Sequence, residues 1–225
     1  MDLLLYAAKK GKVAVTPPLK GFLEEKIWLA LFHHPVLKPF WEKELGEETF
    51  YFLKPLIPQT WILDPRALPP YGLIPDLTFR KKQVSQWEEL FEAGQKERRY
   101  VIKPSGYSEF AWGARGVRIG HDLSSEEWRS SFQSALSSFS NTPHLLQTFY
   151  QGRKDTLIYH DQATDSLVRM PGRTRLCPYF FTTGEGSHLG GILATTCPSD
   201  KKIIHGMADA IMAPCHIKYN MGEKQ

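Results

Sequence analysis

Apolar positions along this chain recur at helical spacing in the first half and alternate in the second. Residues 3–10 read as a helix end, with Leu3, Leu4, Leu5 and Tyr6 ahead of Lys9 and Lys10, and residues 12–15 as a short strand stopped by Pro17 and Pro18. Residues 21–32 read as a helix whose Leu23, Ile27 and Leu31 share one stripe. Glu24 and Glu25 sit in its first turn, where the helix dipole favours them, and Lys26 lies off the stripe, free to face solvent or a ligand. His33-His34-Pro35 ends that helix. Residues 36–54 form a second helical region broken by Pro39 and Gly46, and its aromatics Phe40, Trp41, Phe50, Tyr51 and Phe52 are assigned to the core. A proline-initiated strand follows at 57–63. Pro65, Pro69, Pro70 and Pro75 mark residues 64–76 as a linker or extended loop. Val84, Trp87, Leu90 and Phe91 then predict a helix over 83–96, behind the basic cluster Arg80-Lys81-Lys82.

The stretch that organises the rest is 100–120. Tyr100-Val101-Ile102 reads as a strand ending in Lys103-Pro104, a loop carries Ser108, Gly106, Gly113 and Gly116, and Val117-Arg118-Ile119 returns as a second strand. A lysine held at a strand end meets a phosphate at little ordering cost. Glycines let backbone N–H groups approach phosphate oxygens closely. The spacing is neither a Walker A loop nor a dinucleotide fingerprint, so an ordinary surface hairpin with a long loop stands as the alternative.

Beyond it, Ser124 with Glu127 forms a capping box opening a helix on Trp128, Phe132 and Leu136. Residues 144–150 read as a strand, and further strands are expected at 155–160, 166–170, 174–182, 189–196 and 202–206, with Asp161 and Asp165 at a hairpin tip. The pattern is α+β, antiparallel sheets with flanking helices in two subdomains. The expected divisions are an N-terminal helical and α/β region over residues 1–98, a lysine hairpin and following strand over 99–150, and a C-terminal antiparallel region over 151–225.

Composition narrows the function classes. Hydrophobic content of 42% and charged content of 23% are ordinary globular values, and a net charge of +4 without a basic block argues against a nucleic-acid partner. Cys177, Cys197 and Cys215 are odd in number and lack CxxC spacing, which fits reduced thiols in a cytoplasmic protein. No apolar run approaches membrane-spanning length, and the N-terminal run is too short for a signal sequence, so no membrane partner is expected. The neighbouring His33 and His34 do not share a helix face and have no third metal ligand nearby.

Several segments, in this order, resemble the ATP-grasp superfamily of ATP-dependent carboxylate–amine ligases. Leu23-Glu24-Glu25-Lys26 with its helix, and then Ile57-Pro58-Gln59-Thr60, resemble that family's first lysine segment and the motif after it. Residues 100–104 resemble the strand bearing its second ATP lysine, and the loop to Gly116-Val117 its mobile phosphate cover. Leu145-Leu146-Gln147-Thr148-Phe149 with Gly152 resembles its hinge strand. The wording around 17–31 and 116–128 is most similar to the circularly permuted, glutathionylspermidine-synthase-like branch, and the likeness covers roughly residues 13–215. It implies an ATP-grasp-like fold with ATP and magnesium as cofactors. Lys26 would stand on the α-phosphate side and Lys103 at the α/β-phosphates or adenine N7. Ser108, Gly113 and Gly116 would cover the phosphates, and Gln147, Thr148 and Phe149 would meet the adenine edge. Arg173 and Arg175, alternate residues of one strand, would neutralise the transferred phosphate or else form a solvent face. Asp209 would hold magnesium. The substrates would be a small carboxylate and an amine, joined through an acyl phosphate.

Departures from the family pattern are specific. Thr148 stands where a glutamate is frequent, Lys154 where a ribose-binding glutamate is common, and no Glu-x-Asn follows Asp209. The 80–95 residues ahead of the hairpin are short for the domain that usually precedes it, which leaves a partner chain or a second copy to supply acceptor surface. A nucleotide binder without turnover, and a non-enzymatic α+β module for protein or RNA built on the aromatic residues, remain as alternatives.

Overall fold

The computed structural model describes residues 2–15, 20–105, 108–111, 113–204 and 209–216. It is α+β with antiparallel sheets and divides into two compact units, Met1–Phe149 and Tyr150–Gln225.

The first unit begins with helix α1 (Asp2–Lys9), and residues 12–15 form no strand, contrary to the alternation of their apolar positions. The helix expected over 21–32 is in two pieces, a 3-10 turn Gly21–Glu24 and α2 (Ile27–His33), separated at Glu25, whose backbone is extended. The break has a tertiary cause. Glu25 accepts a hydrogen bond from the Ser105 hydroxyl and Lys26 donates to the Ala111 carbonyl, so both residues are drawn to the distant hairpin. The apolar stripe is cut with the helix: Leu23 is 51% exposed, and α2 buries Ala30 and Phe32 instead.

Two more helices, α3 (Lys38–Leu45) and α4 (Glu47–Leu53), meet at Gly46 with φ 78°. Pro39 does not break α3; it sits in the first turn, where its missing N–H is not needed. Of the aromatics assigned to the core, Phe50 is buried, against Phe32 at 5.2 Å, and the half-buried Trp41 lies 5.7 Å from the same ring and donates its indole N–H to the Leu31 carbonyl, while Phe40, Tyr51 and Phe52 are exposed and do not form the core assigned to them.

The central sheet of this unit has the order β1-β6-β4-β5. Strand β1 (Thr60–Ile62) lies at one edge. A separate hairpin, β2 (Thr78–Phe79) and β3 (Lys82–Gln83), turns through Arg80 and Lys81, both at positive φ, so the basic cluster is a turn. The helix expected over 83–96 is absent. Val84 pairs its N–H with Leu77 and its carbonyl with Ile74, Gln86 is extended, and the regular stretch shrinks to a 3-10 turn, Trp87–Leu90. The Trp128 indole takes the Leu90 carbonyl that a continuing helix would use. Val84 and Leu90 reach the core all the same.

Strands β4 (Tyr100–Pro104) and β5 (Arg118–Ile119) pair antiparallel, Val101 with Ile119 and Ile102 with Arg118, forming the expected hairpin. Helix α5 (Ser125–Ser137) opens on the Ser124–Glu127 capping box and leads to β6 (His144–Thr148). Cross-strand partners share a face. Trp61, Leu146 and Ile102 therefore line one face, and they pack with Trp128, Phe132 and Ala135 of α5 in the main core. Burial of Phe132 alone is worth roughly 1.5–3 kcal/mol. The opposite face carries Thr60, Gln147, Val101 and Lys103, and α2 lies against β1.

The second unit is one sheet, order β10-β9-β8-β7: β7 (Lys154–Asp161), β8 (Ser166–Thr183), β9 (Gly186–Pro198) and β10 (Ile211–Pro214). Asp161 and Asp165 flank the expected tip between β7 and β8. The strands read separately at 166–170 and 174–182 are one strand, because Pro171 and Gly172 stay in register with β7. At Gly172 an added Cβ would come within 2.7 Å of Thr196. Residues 202–204 are not a strand, the rest of the expected 202–206 segment lies outside the described residues, and β10 forms the last strand. No helix among the described residues is long and apolar enough to cross a membrane.

Candidate functional site

The polar face of the first unit's sheet is a chain of side chains spanning three strands. Lys103 on β4 donates its Nζ to Gln147 Oε1 on β6 at 2.7 Å. Gln147 Nε2 donates to Thr60 Oγ1 on β1 at 2.9 Å, and Thr60 donates to the Pro58 carbonyl at 2.8 Å. Gln147 and Thr60 are buried, so the lysine is aimed by partners that cannot swing away. Lys26, at the start of α2, enters from the helical layer and donates to the Ala111 carbonyl at 2.8 Å.

The surroundings of Lys103 oppose its charge. Burial, with the Lys26 charge added to it, holds Lys103 below the usual lysine range. Among the described residues neither ammonium makes an ion pair, and the direct partners of both are neutral amide and carbonyl oxygens. Two half-buried like charges repel more strongly than in water. An anion placed between them would relieve that repulsion and the desolvation cost together.

The loop beside them is ordered by its own contacts where it is described. Ser108 accepts from the Phe110 N–H at 3.2 Å and donates its own N–H to Ser105, and Gly113 and Ala114 both have positive φ. Gly116 has a packing reason for being glycine: a Cβ there would meet Pro104 Cγ at 2.5 Å and the Phe110 carbonyl at 2.8 Å. Gly106 lies outside the described residues. At the far end of β6 the amides of Thr148 and Phe149 are committed to the carbonyls of Gln59 and Arg99, both at 2.9 Å, so a ligand there would meet side chains or carbonyls.

Lys26, Lys103 and Gln147 are thus brought together, with Ser108, Gly113 and Gly116 in the loop that Lys26 touches. Arg173, Arg175 and Asp209 belong to the second unit. Arg173 is 4% exposed, and its guanidinium donates to the carbonyls of Gly152 at 2.9 Å, Lys201 at 3.4 Å and Ser199. Arg175 is exposed, two residues on along β8. Asp209 is exposed in a turn before β10. Among the described residues no three His, Cys, Asp or Glu side chains gather as a metal site.

Two contributions escape a reading by residue type. Thr60 ends the polar chain, and its one sequence signal is its place in the Ile57–Thr60 motif. The Glu25–Ser105 contact joins residues 80 apart and has no local signal. A cavity of about 1420 Å³ also opens in this unit, lined by Trp61, Trp87, Phe91 and the proline-rich segment; it touches Thr60 but neither lysine. A scan against protein-family models gives no match to this chain, and searches of curated proteins and of solved structures give none either.

Proposed function

We propose that the first unit binds the phosphates of ATP at Lys26 and Lys103, and that the protein is an ATP- and magnesium-dependent carboxylate–amine ligase of the ATP-grasp type. The observation that carries this reading is the pair of half-buried ammonium groups whose direct partners are neutral, with burial first and the Lys26 charge second holding Lys103 below the usual lysine range. The segments resembling ATP-grasp motifs supply both lysines and the glutamine between the strands, which supports the same assignment.

In the proposed reaction a carboxylate oxygen attacks the γ-phosphorus, the bond to ADP breaks, and an acyl phosphate forms. An amine then attacks the acyl carbon and inorganic phosphate leaves. Such chemistry needs charge neutralisation and positioning more than a nucleophilic side chain. The two lysines of the first unit would hold the phosphates. Asp209 and Arg175, the magnesium and phosphate residues that the resemblance implies, are exposed residues of the second unit, and the Arg173 guanidinium is taken by carbonyls.

The test is calorimetric titration of wild type and Lys103→Ala with ATP, with and without magnesium. Magnesium-enhanced binding to wild type and its loss in the variant support the site; equal affinity in both removes Lys103 from it. Phosphate release on addition of carboxylate and amine mixtures separates a ligase from a nucleotide binder without turnover.

A further inference from the structure

In the second unit, strand β7 accompanies β8 as far as Arg173, and β10 accompanies β9 as far as Ile192, whose carbonyl takes the Cys215 N–H. Beyond those points β8 and β9 have no other strand partner among the described residues and run to the turn at Gly184 and Glu185 as a two-stranded ribbon. A ribbon of two strands is marginally stable in water on its own. Paired residues share a face, and successive residues alternate between faces. One face of the ribbon therefore carries three apolar pairs in a row: Leu176 with Ala194, Pro178 with Ile192, and Phe180 with Leu189. The register shift after Tyr179 leaves Gly190 unpaired and keeps Leu189 opposite Phe180. A pair of hydroxyls closes each end of the row, Thr174 with Thr196 at 2.9 Å and Thr182 with Ser187 at 2.8 Å. Leu176, Phe180 and Leu189 are 59%, 66% and 39% exposed. A contiguous apolar patch with a polar rim marks a surface that another molecule covers.

The charge of the patch selects its partner. From Leu176 to Thr196 there is no Lys, Arg or Asp; Glu185 lies in the turn, and His188 is on the other face, stacked with Phe181 at 6.2 Å. In a two-fold contact each residue meets a copy of its own surface, so like charges would face each other wherever the patch carried any. This patch carries none, although the chain as a whole has a net charge of +4. The six residues and their rim offer on the order of 500 Å² per copy, so two patches together bury roughly 1,000 Å², at the lower end of specific interfaces.

We propose that this face of the β8–β9 ribbon is an interface between two copies of the chain, packed face to face about a two-fold axis in a weak, concentration-dependent dimer. Phe180 and Leu176 are its main contacts, because they leave the most apolar surface uncovered in the single chain. The patch and the lysine site lie in different units, so their tests succeed or fail separately.

The experiment is sedimentation velocity of the full chain from low to high micromolar concentration, on wild type, Phe180→Ser, Leu176→Lys and Tyr179→Ser, with folding of the ribbon checked by hydrogen exchange on β8 and β9. Tyr179 is exposed on the opposite face and serves as the control. Expected are a monomer–dimer equilibrium in wild type that higher salt does not weaken, a loss of roughly tenfold or more in dimer affinity in Phe180→Ser and in Leu176→Lys, and no change in Tyr179→Ser. Leu176→Lys repeats the Phe180 test with a side chain that water solvates readily in the monomer. A wild type that stays monomeric at every concentration overturns the proposal. A dimer that survives both substitutions, or that Tyr179→Ser weakens equally, places the contact elsewhere and overturns it as well.

Discussion

Lys103 and Gln147 face each other diagonally across two paired strands, 2.7 Å from ammonium to amide oxygen, and that contact fixes which end of the amide faces Thr60. Gln147→Leu removes the acceptor and leaves a half-buried ammonium unsatisfied, a loss of about 1–3 kcal/mol of stability. Gln147→Glu keeps an acceptor for Lys103 but adds a negative charge beside the proposed phosphate site. Its stability is expected to hold near that of wild type while ATP affinity falls, and denaturation paired with calorimetry checks both halves of the statement.

Lys103→Met tests whether the lysine is kept for the fold. Removing one of two repelling charges while retaining the apolar stem offsets the cost of leaving the buried Gln147 Oε1 without its donor, so stability is expected to stay within about 1 kcal/mol of wild type. Urea denaturation is the measurement. A clear loss of stability would mark Lys103 as a structural residue.

Gly116→Ala drives a methyl group into Pro104 and the Phe110 carbonyl, with an expected cost of about 1–3 kcal/mol. Gly184→Ala, where nothing lies within 4 Å of the added carbon, is the control and is expected to stay within about 0.5 kcal/mol of wild type.

Arg173→Ala leaves carbonyls of Gly152, Ser199 and Lys201 without their cation and is expected to destabilise the second unit by about 1.5–3 kcal/mol, whereas Arg175→Ala costs less than about 0.5 kcal/mol. All six tryptophans fall within the first 128 residues, so their fluorescence reports the first unit. Hydrogen exchange on β8 is the appropriate readout for the second.

Burial lowers the pKa of both His33 and His144 below the ordinary value of 6.5. The unfolded chain then binds protons that the folded one resists, so stability is full above about pH 6.5 and falls on acidification from there. Denaturation at pH 7.5 and pH 5.5 is expected to show the lower stability at the acidic value, with a smaller difference in His144→Gln.

The hairpin at 100–120 and the helix at Ser124 were legible because turn glycines and a capping box act within a few residues. The lysine site was only partly legible, since a lysine ending a strand and a glutamine in another are visible as residue types. Their joining through Thr60 is a matter of register. Where the reading missed, distant atoms had taken over local ones: Ser105 and Ala111 split the helix at Glu25, Trp128 took the carbonyl that would continue the helix after Leu90, and carbonyls of Ser199 and Lys201 claimed Arg173. The exposed Phe40 and Phe52 show the other limit, that helical spacing marks a side but not what covers it.

The bond from Lys26 to the Ala111 carbonyl has a consequence for the hairpin loop. It ties a carbonyl of the loop to the start of α2, 85 positions earlier in the chain, so the loop is anchored to the helical layer as well as to its own hairpin. An ammonium has three N–H donors, and this bond uses one of them, so the anchor and a contact to an anion at the proposed site are compatible.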